Sequence, residues 1–113
     1  MLGPMDVPKF SDLANDAENQ FQLALGPKFR VASNEALGES QARGGFRLCF
    51  ADGSREIVVA YGDLQIEVTL NGLELFGFTN HIGFAGNMFS REHFKECLPR
   101  IVAASIEQLA LGA

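Results

Sequence analysis

Any chemistry in this chain would have to come from a short roster of side chains. It has two cysteines, Cys49 and Cys97, two histidines, His81 and His93, and three glutamates spread along one stretch, Glu56, Glu67 and Glu74. Zinc sites use Cys and His at a few recurring spacings. The pairs 49/97 and 81/93 match none of the usual finger patterns, so no metal ligand is assigned. Cys97 follows His93 by four residues, the spacing that puts two side chains on one face of a helix. A thiol and its base can be arranged that way, but no orienting or oxyanion group is visible nearby. Paired carboxylates do acid–base work only where a cleft drives their pKa values apart, and the glutamates fall on a segment that reads as open sheet. The sequence therefore assigns no catalytic residue and no cofactor, and leans away from an enzyme.

A different kind of site is suggested by residues 79–89, "TNHIGFAGNMF", which contain no Asp, Glu, Lys or Arg. Asn80, His81, Phe84 and Asn87 form a candidate ligand loop. It leads into a helix start, where free backbone N–H groups favour an anion, and Gly83 and Gly86 would let a ligand approach the backbone closely. No phosphate-loop lysine follows, so a nucleotide is weakly supported. The structural alternative is a connector whose Ile82, Phe84, Met88 and Phe89 plug the end of the layer beneath.

The whole chain bounds these options. It has 113 residues, 47% of them apolar, with ten Phe and no Trp, the composition of one globular domain with one core. Its formal net charge is −5. Lys and Arg are scattered at positions 9, 28, 30, 43, 47, 55, 91, 95 and 100 without the basic patch of a nucleic-acid binder. Nucleic acid is therefore a poor partner, and a basic protein a better one. No apolar run approaches the roughly 20 residues of a membrane span. Met1 to Phe10 lacks a basic start followed by an apolar stretch, so a reducing cytoplasm is the expectation. There the two cysteines act as small apolar residues.

The elements follow from periodicity. Residues 1–9 carry no element. Residues 10–25 place Phe10, Leu13, Ala14, Ala17, Phe21, Ala24 and Leu25 at helical spacing, with Ser11 as N-cap and Gly26-Pro27 as the stop. Residues 28–33 alternate weakly and read as a short edge strand, and residues 34–45 as a loop. Three turn signals follow, Asp52-Gly53, Gly62-Asp63 and Asn71-Gly72. Taken as two-residue hairpin loops, they pair Leu48 with Ile57, Val59 with Ile66 and Val68 with Leu75. This meander puts Phe46, Leu48, Phe50, Ile57, Val59, Tyr61, Leu64, Ile66, Val68, Leu70, Leu73 and Leu75 on one side, since directly paired residues share a face. Arg55 shares that side, close enough to a turn for its head to reach water. A C-terminal helix spans residues 90–111, capped by Ser90 and presenting Phe94, Leu98, Ile101, Val102, Ser105 and Leu109. Pro99 falls in its interior, which favours a kink over a division into two helices. The fold class is α+β: an antiparallel meander of four or five strands over residues 28–78, covered on one face by an N-terminal and a C-terminal helix.

The opposite sheet face then collects Glu56, Val58, Glu67, Glu74, Phe76 and Phe78, an apolar strip ringed by carboxylates. The functional expectation is a non-catalytic protein-binding module of the immunity, inhibitor, chaperone or adaptor type, from a bacterial or phage context, meeting a basic partner through this face. The alternative is a small-molecule binder or minor enzyme using the 79–89 loop and the sheet–helix crevice. A structural subunit of a larger assembly is a third class. A homodimer joined sheet to sheet is possible, although stacked glutamates would oppose it.

Overall fold

The computed structural model describes residues 8–37 and 44–112. Its elements run α1 (Phe10–Leu25), β1 (Arg30–Leu37), β2 (Gly45–Ala51), β3 (Glu56–Gly62), β4 (Gln65–Leu70), β5 (Leu73–Phe76) and α2 (Arg91–Gly112). The strands form one antiparallel sheet in sequential order β1-β2-β3-β4-β5. The two helices pack on one of its faces, α1 against β1 and β2, α2 against β5 and α1. The fold is α+β, as the periodicity requires. Among the described residues no helix is long and apolar enough to cross a membrane.

Helix α1 buries Phe10, Leu13, Ala14, Ala17 and Phe21, the stripe expected from their spacing; Ala24 is exposed instead. The cap is not Ser11. Lys9 occupies the N-cap position in extended geometry without a side-chain hydrogen bond, so the helix takes in Ser11 as its second residue. At the other end Gly26, at φ 87°, donates its N–H to Gln22 O. The Gln22 side chain donates to the carbonyls of Gly26 at 3.1 Å and Phe29 at 2.6 Å, which ties the helix end to the chain entering β1.

Strand β1 is longer than its weak alternation implied and ends at Leu37. The expected loop at residues 34–45 is therefore strand as far as 37, while residues 38–43, like residues 1–7, lie outside the described residues. In α2, Ser90 caps as expected, its Oγ accepting from His93 N at 3.2 Å. The helix runs through Pro99 as a single element. Pro99 is exposed, so the carbonyl four residues earlier loses its amide partner on a side of the helix that water reaches. Ser105 is fully buried and satisfies its hydroxyl by donating to Ile101 O at 2.8 Å.

In its first two hairpins the meander keeps its faces but not its partners. Phe50 pairs with Ile57, Leu48 with Val59 and Phe46 with Tyr61. Tyr61 pairs with Ile66, Val59 with Val68 and Ile57 with Leu70. Every partner in these two hairpins is displaced by two residues from the expected one. In each case the loop sits one residue later than the turn signal suggested. At the first turn Asp52 N donates to Arg55 O, so Gly53-Ser54 form the tip, with Gly53 at φ 97°. Asp52 holds this turn rather than occupying its tip. Its carboxylate accepts from Ser54 N at 3.0 Å and Arg55 N at 2.7 Å, and these backbone donors hold the carboxyl well below the usual carboxylate range. Arg55 bridges back to Asp52 at 3.0 Å and lies over the Phe29 ring at 5.0 Å from its centroid.

At the second turn Asp63 and Leu64 form the loop at φ 50° and 68°. A leucine with positive φ is strained. Leu64 O accepts from Phe89 N, and Met88 bridges to Gln65, so residues 87–89 continue the ladder along β4 beyond the end of β5. Asn71-Gly72 turns as read, at φ 50° and 85°, with Leu70 opposite Leu73. Leu64 and Leu73, expected inside, are 45% and 65% exposed, because each sits at or beside a turn that the helices do not cover.

An aromatic cluster of Phe10, Phe46, Tyr61 and Phe94 joins sheet to helices, with Tyr61 and Phe94 stacked at 4.9 Å. Tyr61, the sole tyrosine, is buried, and its hydroxyl donates to Phe89 O at 2.6 Å. Burial pushes its phenol up to about 12, with the neighbouring Arg91 pulling the other way. The folded chain holds that proton more tightly than the unfolded one. Stability linked to Tyr61 is thus intact below the ordinary tyrosine value near pH 10 and is lost as pH climbs to about 12. Tyrosinate absorbance should show one step near the upper value in the native protein and near the ordinary one in urea. A native step at the ordinary value would mean that the phenol is neither buried nor donating.

Candidate functional site

The outer sheet face follows from the observed register. One row across the strands is Glu35, Arg47, Ala60, Glu67; the next is Ser33, Cys49, Val58, Thr69, Glu74. Toward one end lie Leu37, Gly45, Gly62 and Gln65, and toward the other Arg30, Ala51 and Glu56. The face carries Glu35, Glu56, Glu67 and Glu74 against Arg30 and Arg47, so it is acidic on balance.

Small residues decide its shape. Gly45, Ala60 and Gly62 leave a depression between taller neighbours, a groove of about 530 Å³. Leu37 borders it from β1, Arg47 rises from β2, and Gln65, Glu67, Phe78 and Asn87 border it on the β4 side. Gly45 has no alternative: a Cβ there would lie 2.0 Å from Tyr61 O. Gly62 is different, since a Cβ there meets nothing within 4 Å. Its alternation with inward-facing Tyr61 aims that open space at the groove.

The sequence-derived site residues separate into groups. Glu67 and Phe78 line the groove, and Phe78 is 71% exposed. Glu56 is exposed at the far end of the face, where its backbone N–H donates to Asn71 Oδ1 at 2.8 Å. Val58 is half-buried beside Cys49. Cys49 itself is buried; desolvation and the Glu56 carboxylate push its thiol up, against the pull of Arg47. Glu74 is occupied with local structure. Burial works against its charge, but donation from the Thr79 hydroxyl and from the backbone N–H groups of Thr79, Asn80 and Phe78 holds its carboxyl below the ordinary value.

Phe76 is a correction: it is fully buried and does not belong to the outer face. The register breaks in β5, where Thr69 pairs with Glu74 but Val68 pairs with Phe76. Leu75 is the extra residue of a bulge, which turns Phe76 inward next to it. There Phe76 meets Phe84 edge-on at 5.4 Å and Phe89 at 6.4 Å.

The 79–89 loop divides too. Asn87 reaches the groove but is buried, its Nδ2 donating to Ile66 O at 3.4 Å. Asn80 donates to Leu75 O at 3.2 Å and its carbonyl accepts from Gly77 N at 2.7 Å. His81 Nδ1 lies 3.0 Å from Phe84 O, closing a turn. Arg100 pins that turn to α2 by donating to Gly83 O at 3.1 Å and stacking on Phe84 at 4.4 Å. Phe84 and Phe89 pack on the core as plugs, whereas Ile82 and Met88 remain exposed. Asn80, His81 and Phe84 do not border the groove.

The helical thiol–imidazole pair does come together, with Cys97 Sγ 3.6 Å from His93 Nε2 and 3.8 Å from Nδ1. Near-equal distances to both nitrogens place the sulfur over the ring rather than along a lone pair, which would leave the second nitrogen most of a ring-width farther away. That ring also stacks on Phe89 at 5.3 Å. Such an arrangement packs a thiol; it does not aim a base at it. Among the described residues no group of His, Cys, Asp and Glu is gathered to hold a metal ion.

Arg47 is among the groove residues that sequence reasoning did not single out. The expected pairing already set it on the outer face two strands from Glu67 with Val58 between; the observed register keeps that row and puts Ala60 in place of Val58. No protein family, curated protein or solved structure matches this chain, so the functional reading rests on the site's own geometry.

Proposed function

We propose that this chain is a non-catalytic protein-binding module whose outer sheet face receives a basic segment of a partner protein. The observation that carries this reading is the groove, which lies on an acidic sheet face beside the exposed ring of Phe78. An aromatic anchor beside carboxylates suits a partner that brings long, positively charged side chains. Charge of this kind acts mainly on encounter rate and is screened by salt. The double substitution Glu56→Lys, Glu67→Lys is expected to weaken binding of lysine- and arginine-rich peptides by at least about tenfold, chiefly through slower association. Surface plasmon resonance at two salt concentrations measures both effects. Equal binding by the parent and the variant would remove the outer face as the site.

A second reading draws on the groove's size, which falls within the roughly 300–1,000 Å³ of small-molecule pockets. A thermal-shift screen with uncharged metabolites distinguishes the two, because a large reproducible shift there would favour a ligand site over a basic protein segment.

A further inference from the structure

Three charged residues line the groove: Arg47, Glu67 and, at the turn end, Asp63. Arg47 stands on β2 and Glu67 on β4, with the methyl of Ala60 between them on β3. Two inter-strand spacings set their backbones about 10 Å apart. Both side chains are exposed, and among the described residues neither forms an ion pair or a side-chain hydrogen bond. The guanidinium and the carboxylate thus face the same groove across an apolar floor without neutralising each other.

We infer that this groove binds the C-terminal residue of a partner chain when that residue is lysine or arginine. The inference rests on the protein-binding reading above and specifies what part of the partner is held. A terminal lysine or arginine carries an anion and a cation at the two ends of one apolar stem. Its α-carboxylate meets Arg47, whose planar fork accepts a carboxylate in two parallel hydrogen bonds. Its side-chain cation meets Glu67. Its methylene stem lies over Ala60 and beside Phe78, as long basic side chains lie along apolar surface. An internal lysine offers only the second of these contacts. A terminal acidic or neutral residue offers only the first.

The test uses N-acetylated glycine-rich pentapeptides ending in Lys, Arg, Leu or Glu, each as the free acid and as the amide, titrated by NMR into the intact chain. Lys and Arg acids should shift the amide signals of Gly45, Ala60 and Gly62, and amidation should weaken them at least tenfold. Arg47→Gln should abolish the difference between acid and amide while leaving the preference for a basic end. Glu67→Gln should do the reverse. Gly62→Leu, built into open space on the groove floor, should remove binding of every peptide without lowering the melting temperature. Equal binding of Lys acid and Lys amide at the outer face overturns this inference and leaves the protein-binding reading standing. Failure of every basic peptide to bind overturns both. Free lysine binding as tightly as the peptide would replace the chain end with a free amino acid and overturn the inference as stated.

Discussion

Phe76→Ala is expected to cost about 3–5 kcal/mol, the range for deleting a buried phenylalanine side chain. That is a large share of the roughly 5–15 kcal/mol that holds a domain of this kind together. The ring has no exposed surface and lies among Phe84, Phe89 and Leu75. Its loss would leave a cavity where the 87–89 segment joins the sheet, so the plug formed by Phe84 and Phe89 should loosen as well. Phe78→Ala, two residues on, removes a ring that is mostly in water and should change stability by no more than about 0.5 kcal/mol. Urea unfolding measures both. A lower midpoint for Phe76→Ala, with unchanged slope and little change for Phe78→Ala, is the expected pattern. Small and equal effects would mean that the bulge at Leu75 is absent and that Phe76 faces outward, as plain alternation from Asn71-Gly72 implies.

Gly45→Ala should be the other damaging change, although it adds only a methyl group. Gly45 opens β2 opposite Gly62, and its Cβ would overlap Tyr61 O at 2.0 Å and touch Gly62 Cα at 3.0 Å. Both obstacles are backbone, so no side chain can rotate away. The strands must separate, and the cost should reach or exceed the roughly 1–3 kcal/mol of ordinary overpacking. Tyr61 would be carried along, which threatens its bond to Phe89 O. Gly62→Ala is the matched control. It meets open space and has no positive φ, so it should be neutral or stabilising by up to about 1 kcal/mol through the unfolded chain. Thermal unfolding of the two variants should differ sharply. Equal melting temperatures would show that β2 and β3 do not approach each other as closely as the structure places them.

Other elements show where sequence reasoning was sufficient and where it was not. Helix α1 was legible because its apolar stripe is long and its stop, Gly26-Pro27, is unambiguous. Its cap was not, because Ser11 is a better capping side chain than Lys9 and only the path of the preceding chain places Lys9 there. Pro99 left one helix or two open, since its cost depends on whether the affected carbonyl meets water. For the site, Glu67 and Phe78 were readable from alternation. The row joining Arg47 to Glu67 was readable too, because the displacements of the two hairpins cancel across β3, but Ala60 as the residue between them was not, nor was the engagement of Glu74 by residues 78–80, because both depend on partners distant or irregular in sequence.

The face assignment in β2, β3 and β4 was determined by the sequence itself, and for a reason that tolerates error. Moving a two-residue hairpin loop by one position displaces every partner by two, and side chains alternate with a period of two. The turns at 52–55 and 62–65 could thus be misplaced by one residue while Phe46, Leu48, Phe50, Ile57, Val59, Tyr61, Ile66 and Val68 still faced the helices. What lay beyond the sequence was which residues stand opposite one another in the first two hairpins, and where the third, paired as read at Leu70 and Leu73, breaks its register. The register aligns Gly45 with Gly62 and sets Arg47 and Glu67 about Ala60. The single extra residue at Leu75 breaks the period and draws Phe76 inside. These features depend on the fit of strand backbones and on a core able to hold one more aromatic ring, and only the packed tertiary structure settles them.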